Sequence, residues 1–141
     1  MNIIEHNWAW AHGLSRRSAT EAIVLHHAAA LTASPGDVHA WHLQNGWAGI
    51  GYHLYIRKDG SVHAGRPLWA SGAHTLNFNM CTLGVCCEGN YDVETAMPAA
   101  QLKPWPRLPA VMSTPGVRFM SQWLGRFVPL WLSVRSQDLS K

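Results

Sequence analysis

The run Ala22-Ile23-Val24-Leu25-His26-His27 constrains this chain more than any other stretch. Four apolar residues stand in a row, without the three-and-four spacing of a helical stripe. Such a run, with β-branched Ile23 and Val24, reads as a strand buried on both faces of a sheet. It ends abruptly in two imidazoles. A buried central strand that ends in His delivers that side chain to the rim of the sheet, where a rigid scaffold can hold a metal or a substrate. His26 is therefore a candidate zinc ligand. The alternative reading is that His26 and His27 are hydrogen-bonded histidines at a strand end.

The 141 residues make one domain, long enough to bury about two-thirds of the surface of the unfolded chain. Trp8 and Trp10 suit a short extended segment that Gly13 breaks. Ser34-Pro35-Gly36-Asp37 is turn chemistry followed by a helix start. Val38, Trp41 and His42 then share a helix face, with Trp41 expected as a core anchor and His42 as its partly buried neighbour. Gly49–Arg57 reads as a strand with Tyr52, Leu54 and Ile56 on one face and His53, Tyr55 and Arg57 on the other. Asp59-Gly60 marks a hairpin, with Val62–Arg66 as the returning strand. Residues 71–79 form a polar loop carrying His74. Leu83–Cys87 is a second short buried strand. A helix opens at Pro98, and Pro104, Pro106 and Pro109 stop it early. Val117, Met120, Leu124, Phe127 and Trp131 then fit one further helix face until Pro129 interrupts. Strand–helix alternation, a hairpin and another strand argue for an α/β domain with a mixed sheet.

Charge and cysteine usage bound the setting. Residues 1–102 hold five Lys/Arg and seven Asp/Glu, whereas residues 103–141 hold six Lys/Arg and one acid, Asp138. The basic tail suits an anionic polymer or surface, yet Arg16-Arg17 is too small a patch to argue for nucleic acid. Cys81, Cys86 and Cys87 are not a disulfide framework and point to a reducing compartment. Cys86 and Cys87 read as small buried hydrophobes. No signal peptide and no bilayer-spanning run is legible. The expected location is cytoplasmic until release, and nothing in the sequence speaks to oligomeric state.

One ordered set of motifs adds to this reading. Ile23-Val24-Leu25-His26-His27 is followed by Trp41-His42, Gly46-Trp47 and Gly49-Ile50-Gly51-Tyr52-His53-Leu54. Asp59-Gly60, Gly65-Arg66 and Gly72-Ala73-His74 complete it. In order and spacing, residues 1–102 resemble the zinc-dependent N-acetylmuramoyl-L-alanine amidases, the amidase-2 group that includes phage lysozyme-type amidases and peptidoglycan recognition proteins. The resemblance implies a central mixed β-sheet flanked by helices, with a peptidoglycan-binding groove on one side. It implies hydrolysis of the amide between N-acetylmuramic acid and L-alanine, with Zn2+ as cofactor. The partner it implies is peptidoglycan, with neither nucleic acid nor membrane. His26 maps to the zinc ligand at the end of the first core strand. Tyr52 maps to the phenol that stabilises the oxyanion; the residues alone also allow an ordinary strand Tyr. His74 maps to the His that lines the substrate pocket, with a structural loop residue as its alternative. A binding module that has kept the groove without the metal is the alternative function.

The tail departs from that pattern. The resemblance implies a second His after the last long helix, then a Cys or Asp before a turn, with a Lys near it. Here no His follows His74 and no Cys follows Cys87. The expected organisation is an incomplete amidase-2-like domain over 1–102 and a Pro/Arg/Trp-rich tail over 103–141, read as a frameshifted or truncated replacement. Translating the other frames past the Leu102 codon is expected to reveal a His and a Cys or Asp at family-like spacing. If neither frame shows a His and a Cys or Asp at that spacing, the frameshift is contradicted.

Overall fold

In the computed structural model of the chain, residues 1–112 are described, together with the backbone of two later strands at 118–121 and 128–130. The seven strands are β1 (Ile3–Ile4), β2 (Ala22–His27), β3 (Leu54–Ile56), β4 (Val62–Ala64), β5 (Thr82–Cys87), β6 (Arg118–Ser121) and β7 (Val128–Leu130). They form one sheet in the order β1-β4-β3-β5-β2-β6-β7. β2 runs parallel to β5 and to β6, β3 parallel to β5, and β3 antiparallel to β4. The sheet is mixed, as expected, with the apolar run of β2 and Leu83–Cys87 of β5 side by side inside it.

Register decides which residues share a face. Leu25 pairs with Val85, His26 with Cys86 and His27 with Cys87. Residues paired on adjacent strands point to the same side, and the side alternates along each strand. One face collects Ile23, Leu25, Leu54, Ile56, Val62, Leu83, Val85 and Cys87 against Leu108 and Met112. The other collects Tyr55 and Cys86 against Ile50, Ala33 and Val38, with Trp8, Trp10 and Tyr52 at its margin. His26 belongs to this second face and His27 to the first.

Helix α1 (Pro35–Gln44) covers the second face. Its start follows from a capping box. Ser34 Oγ accepts from the Asp37 N–H, and the Asp37 carboxylate accepts from the Ser34 N–H. Two orphan donors of the first turn are thereby satisfied, and Pro35 sits where no N–H is needed. α1 buries Val38, His39 and His42. Trp41, expected as a core anchor, is exposed at 41%. His39 takes the inner position because both its ring nitrogens find partners there, the Ile50 N–H and the Ala9 carbonyl.

The expected strand over 49–57 is shorter than its apolar pattern. Only Leu54–Ile56 pairs as β3. Upstream, Gly51 lies against Ala73, where a Cβ would come within 2.0 Å of the Ala73 oxygen. Tyr52 O accepts from Arg66 N–H and His53 O from Gly65 N–H. These contacts pull the chain out of pleat, so Tyr52 packs on the face opposite Leu54 and Ile56. The Asp59-Gly60 turn forms as expected, with Gly60 at φ 88° and the Ser61 N–H and Oγ both donating to Asp59.

After β5, α2 spans only Ala99–Leu102, and a 3-10 turn (Trp105–Arg107) and α3 (Leu108–Val111) follow. The prolines interrupt the ladder as expected. The helix face expected over 117–131 is corrected at Arg118–Ser121 and Val128–Leu130, which are strands. β6 satisfies its backbone on the free edge of β2, and Gly125 and Pro129 disfavour a continuous helix. Val117, Leu124, Phe127 and Trp131 lie outside the described residues.

At the far end of β5, Glu88 is 2% exposed and ties three segments together. Its carboxylate accepts from Ala33 N–H, Lys58 N–H and the Arg57 guanidinium. Burial opposes its ionisation, but Arg57 and the two backbone donors win, and its pKa lies below the ordinary carboxylate value. Glu88→Ala leaves those donors unpaired and is expected to cost roughly 3 kcal/mol. Urea unfolding of the two chains measures the loss.

Candidate active site

β2 ends where the expected site residues meet. His26 is 6% exposed. Its ring lies 5.2 Å from the Tyr52 ring and 5.1 Å from the His74 ring, centroid to centroid. His26 Nε2 and His74 Nδ1 are 3.0 Å apart. Thr75 Oγ1 is 2.9 Å from His74 Nδ1 and 3.4 Å from His26 Nε2. Residues 26, 52 and 74, far apart in the chain, are thus brought together at one end of the sheet. His27, one residue on, faces away. Its Nδ1 accepts from the Tyr91 N–H, and its Nε2 is 3.6 Å from Asp92.

Each position has a local cause. The loop that carries His74 is closed by Asn79, whose Oδ1 accepts from the His74 and Thr75 N–H groups. Two glycines make room for the ring. A Cβ on Gly72 would lie 2.3 Å from His74 Cδ2, and one on Gly84 would lie 2.6 Å from it. Tyr52 is held from behind by α1. Its ring is 5.5 Å from that of His42, whose Nδ1 accepts from the Gly51 N–H. Trp47 sits 4.6 Å from the same His42 and is half exposed. His53 lies beneath, accepting from Gly84 N–H at Nδ1 and donating from Nε2 to the Ala70 carbonyl.

The electrostatics follow from burial. Desolvation pushes His26 down to about 4, with His27 adding to the shift. It pushes His74 down to about 2, with His26 and His53 adding. Both rings are neutral at pH 7, so one N–H and one lone pair make the bond between them. Burial raises the Tyr52 phenol well above its ordinary value, and the Cys86 thiol adds to this while bonding its hydroxyl. Tyr52 is therefore a proton-bearing donor.

Zinc is the cofactor the resemblance implies, and catalytic zinc takes three protein ligands and leaves one position open. No three His, Cys, Asp or Glu side chains come together among the described residues. The expected ligand set is therefore not assembled by them; of that set, His26 is the one residue the resemblance maps onto them.

Motif reading missed Thr75, the Gly72 and Gly84 cradle, and the support of His42 behind Tyr52. One signal for the cradle was present: a glycine inside a buried strand marks a close approach. Nothing in the spacing pointed to the His26–His74 contact.

Comparison with known proteins shows the family. The family description Amidase_2, N-acetylmuramoyl-L-alanine amidase, matches residues 16–114. The endolysin of Enterobacteria phage T3 is 38% identical over 79 residues, covering 54% of this chain and 52% of the endolysin. The chain thus spans about half the length of the curated endolysins it matches. The solved N-acetylmuramoyl-L-alanine amidase LysC from Clostridium intestinale superposes with a TM-score of 0.76 at 33% identity, covering 84% of this chain and 82% of LysC. Peptidoglycan recognition protein-LE, solved in complex with tracheal cytotoxin, shares the fold at a TM-score of 0.75 and 22% identity, with 84% and 81% covered. The match extends past Leu102, where the resemblance read from the sequence ends, and begins after the Trp8–Trp10 segment. With that match over most of the chain, and His26, Tyr52 and His74 gathered at the end of β2, the chain belongs to the N-acetylmuramoyl-L-alanine amidase family, Amidase_2.

Proposed function

We propose that this domain hydrolyses the amide between N-acetylmuramic acid and L-alanine of peptidoglycan. The convergence of His26, Tyr52 and His74 at the end of β2 carries the reading. LysC, a named amidase at 33% identity with 82% of its length covered, supports it. Recognition protein-LE, solved with a monomeric diaminopimelic acid-type peptidoglycan, supports the substrate class. The endolysin relatives support action on the cell wall. No helix among the described residues is long and apolar enough to cross a membrane.

The residues divide the work. Tyr52 keeps its proton at neutral pH and donates to the oxygen that gains charge as the scissile carbonyl becomes tetrahedral. His74, its ring 6.4 Å from that of Tyr52, orients the amide. Trp47 offers a half-exposed ring beside His42, against which a sugar or lactyl group packs. We propose zinc as the cofactor with His26 as one ligand. When bound, the ion supplies an acidic water and polarises a carbonyl.

A second reading, a peptidoglycan-binding module without catalysis, is favoured by one observation. The described residues gather no three-ligand cluster, and the sequence beyond His74 holds no further His. Purified sacculi separate the two. The amidase reading predicts release of stem peptides with new L-alanine amino termini, and Tyr52→Phe is expected to slow it by about 10²–10³-fold while still binding sacculi. Binding of sacculi by the wild-type chain without release, in the presence of zinc, supports the module.

A further inference from the structure

We infer that Arg66 is a positioning residue of this site: its guanidinium clamps the segment that carries Tyr52 to the loop that carries His74, and so sets the gap between those two side chains. The catalytic consequence rests on the amidase reading; the clamp itself rests on the hydrogen bonds alone.

Arg66 is 8% exposed. Among the described residues the ion pairs are His27–Asp92, Arg57–Glu88 and Lys58–Glu94, and Arg66 joins none of them. A buried cation without a carboxylate is costly to hold. Burial lowers its pKa, and no acid offsets that shift. The guanidinium instead bonds two carbonyls from separate segments. Its Nε–H donates to the Ile50 carbonyl at 2.9 Å, and an Nη1–H donates to the Ser71 carbonyl at 2.7 Å. Ile50 stands two residues before Tyr52, and Ser71 stands three before His74. The backbone N–H of Arg66 also donates to the Tyr52 carbonyl, at 2.8 Å. One residue therefore holds the chain on both sides of Gly51.

No strand ladder fixes the Tyr52 segment, because β3 begins at Leu54. Its outer side is held by α1, where His39 and His42 accept the Ile50 and Gly51 N–H groups. Towards the His74 loop it has two ties. The Gly51 carbonyl accepts from the Ala73 N–H at 3.0 Å, and the Arg66 fork joins Ile50 to Ser71. Between these ties the rings of Tyr52 and His74 stand 6.4 Å apart, centroid to centroid. The side-chain type matters. A guanidinium presents its N–H groups in a rigid plane that reaches two acceptors at once, whereas an ammonium is a point donor on a flexible stem. Lys at this position keeps the charge and loses the clamp.

The full chain is compared with Arg66→Lys and Arg66→Met. Near-ultraviolet circular dichroism checks folding, and nuclear Overhauser spectra report Tyr52–His74 ring contacts. Steady-state hydrolysis of a soluble N-acetylmuramoyl peptide, with zinc present, gives kcat and KM. Both folded variants are expected to lose ring cross-peaks. They are also expected to lower kcat at least about tenfold with KM within about twofold, because a misplacement of about 1 Å costs about 10²-fold in rate. Glu88→Ala removes a buried hub elsewhere in the fold, and is expected to keep both the cross-peaks and kcat. In the wild type, the Arg66 Nε–H is expected to exchange slowly with water, with guanidinium rotation restricted in nitrogen-15 spectra. That measurement needs no variant and stands even where the substitutions prevent folding. A freely rotating, fast-exchanging guanidinium overturns the inference. Wild-type cross-peaks and kcat in folded Arg66→Lys overturn it too, as does a rise in KM alone, which makes Arg66 a substrate contact. Loss of the cross-peaks in Glu88→Ala also overturns it, by making that loss a general effect of destabilisation. A wild type that hydrolyses nothing, with cross-peaks lost in folded Arg66→Lys, contradicts the amidase reading and supports the clamp. Hydrolysis by the wild type, with cross-peaks unchanged in folded Arg66→Lys, does the reverse.

Discussion

The parallel ladder between β2 and β5 is the constraint on which the rest of this structure depends. Six consecutive pairs, from Ala22 with Thr82 to His27 with Cys87, lock the two central strands in one register. That register sends His26 to the face that holds Tyr55 and Cys86, and His27 to the opposite face. A slip of one residue would exchange them and put the wrong imidazole beside Tyr52. Gly84 sits in the same ladder, opposite Val24, and its missing side chain is what admits the His74 ring. Strand pairing, the cradle and the site are thus parts of one arrangement.

Imidazoles do much of the internal wiring. His39, His42 and His53 each accept a backbone N–H at Nδ1, from Ile50, Gly51 and Gly84 respectively. They bridge α1, the segment before β3 and β5 at places where the backbone leaves regular pairing. Burial holds His42 and His53 near 4, so they serve as neutral connectors at neutral pH. The remaining imidazoles near the site meet each other, His26 Nε2 lying 3.0 Å from His74 Nδ1. The wiring also brings Tyr52 out of the pleat and onto the face of His26.

Much of this was legible in the sequence because it rests on local signals. The apolar run of β2 needs burial on both faces. Ser34 and Asp37 cap a helix whatever lies beyond it. Asp59-Gly60 turns a hairpin, and the prolines after Leu102 end a helix. What escaped were features decided by distant partners. Tyr52 was read as a strand residue beside Leu54 and Ile56, because alternation cannot reveal that Ala73 and Arg66 draw the backbone aside. Trp41 shares a helix-face spacing with Val38 and was expected in the core, while His39 won the inner position through two hydrogen bonds. The stripe at 117–131 matched a helix, but the open edge of β2 offered a strand at Arg118–Ser121 a full set of partners. The site itself was half legible: His26, Tyr52 and His74 could be named from motifs, whereas the contact between two of them depends on glycines at 72 and 84.

The central claim is that the rings of His26, Tyr52 and His74 converge at the end of β2. Nuclear Overhauser contacts among the three rings in the folded chain test it most directly. Ring separations of 5.2 Å for His26–Tyr52 and 5.1 Å for His26–His74 predict cross-peaks from the His26 ring protons to both partners. A folded chain whose His26 ring shows contacts to neither would contradict the account.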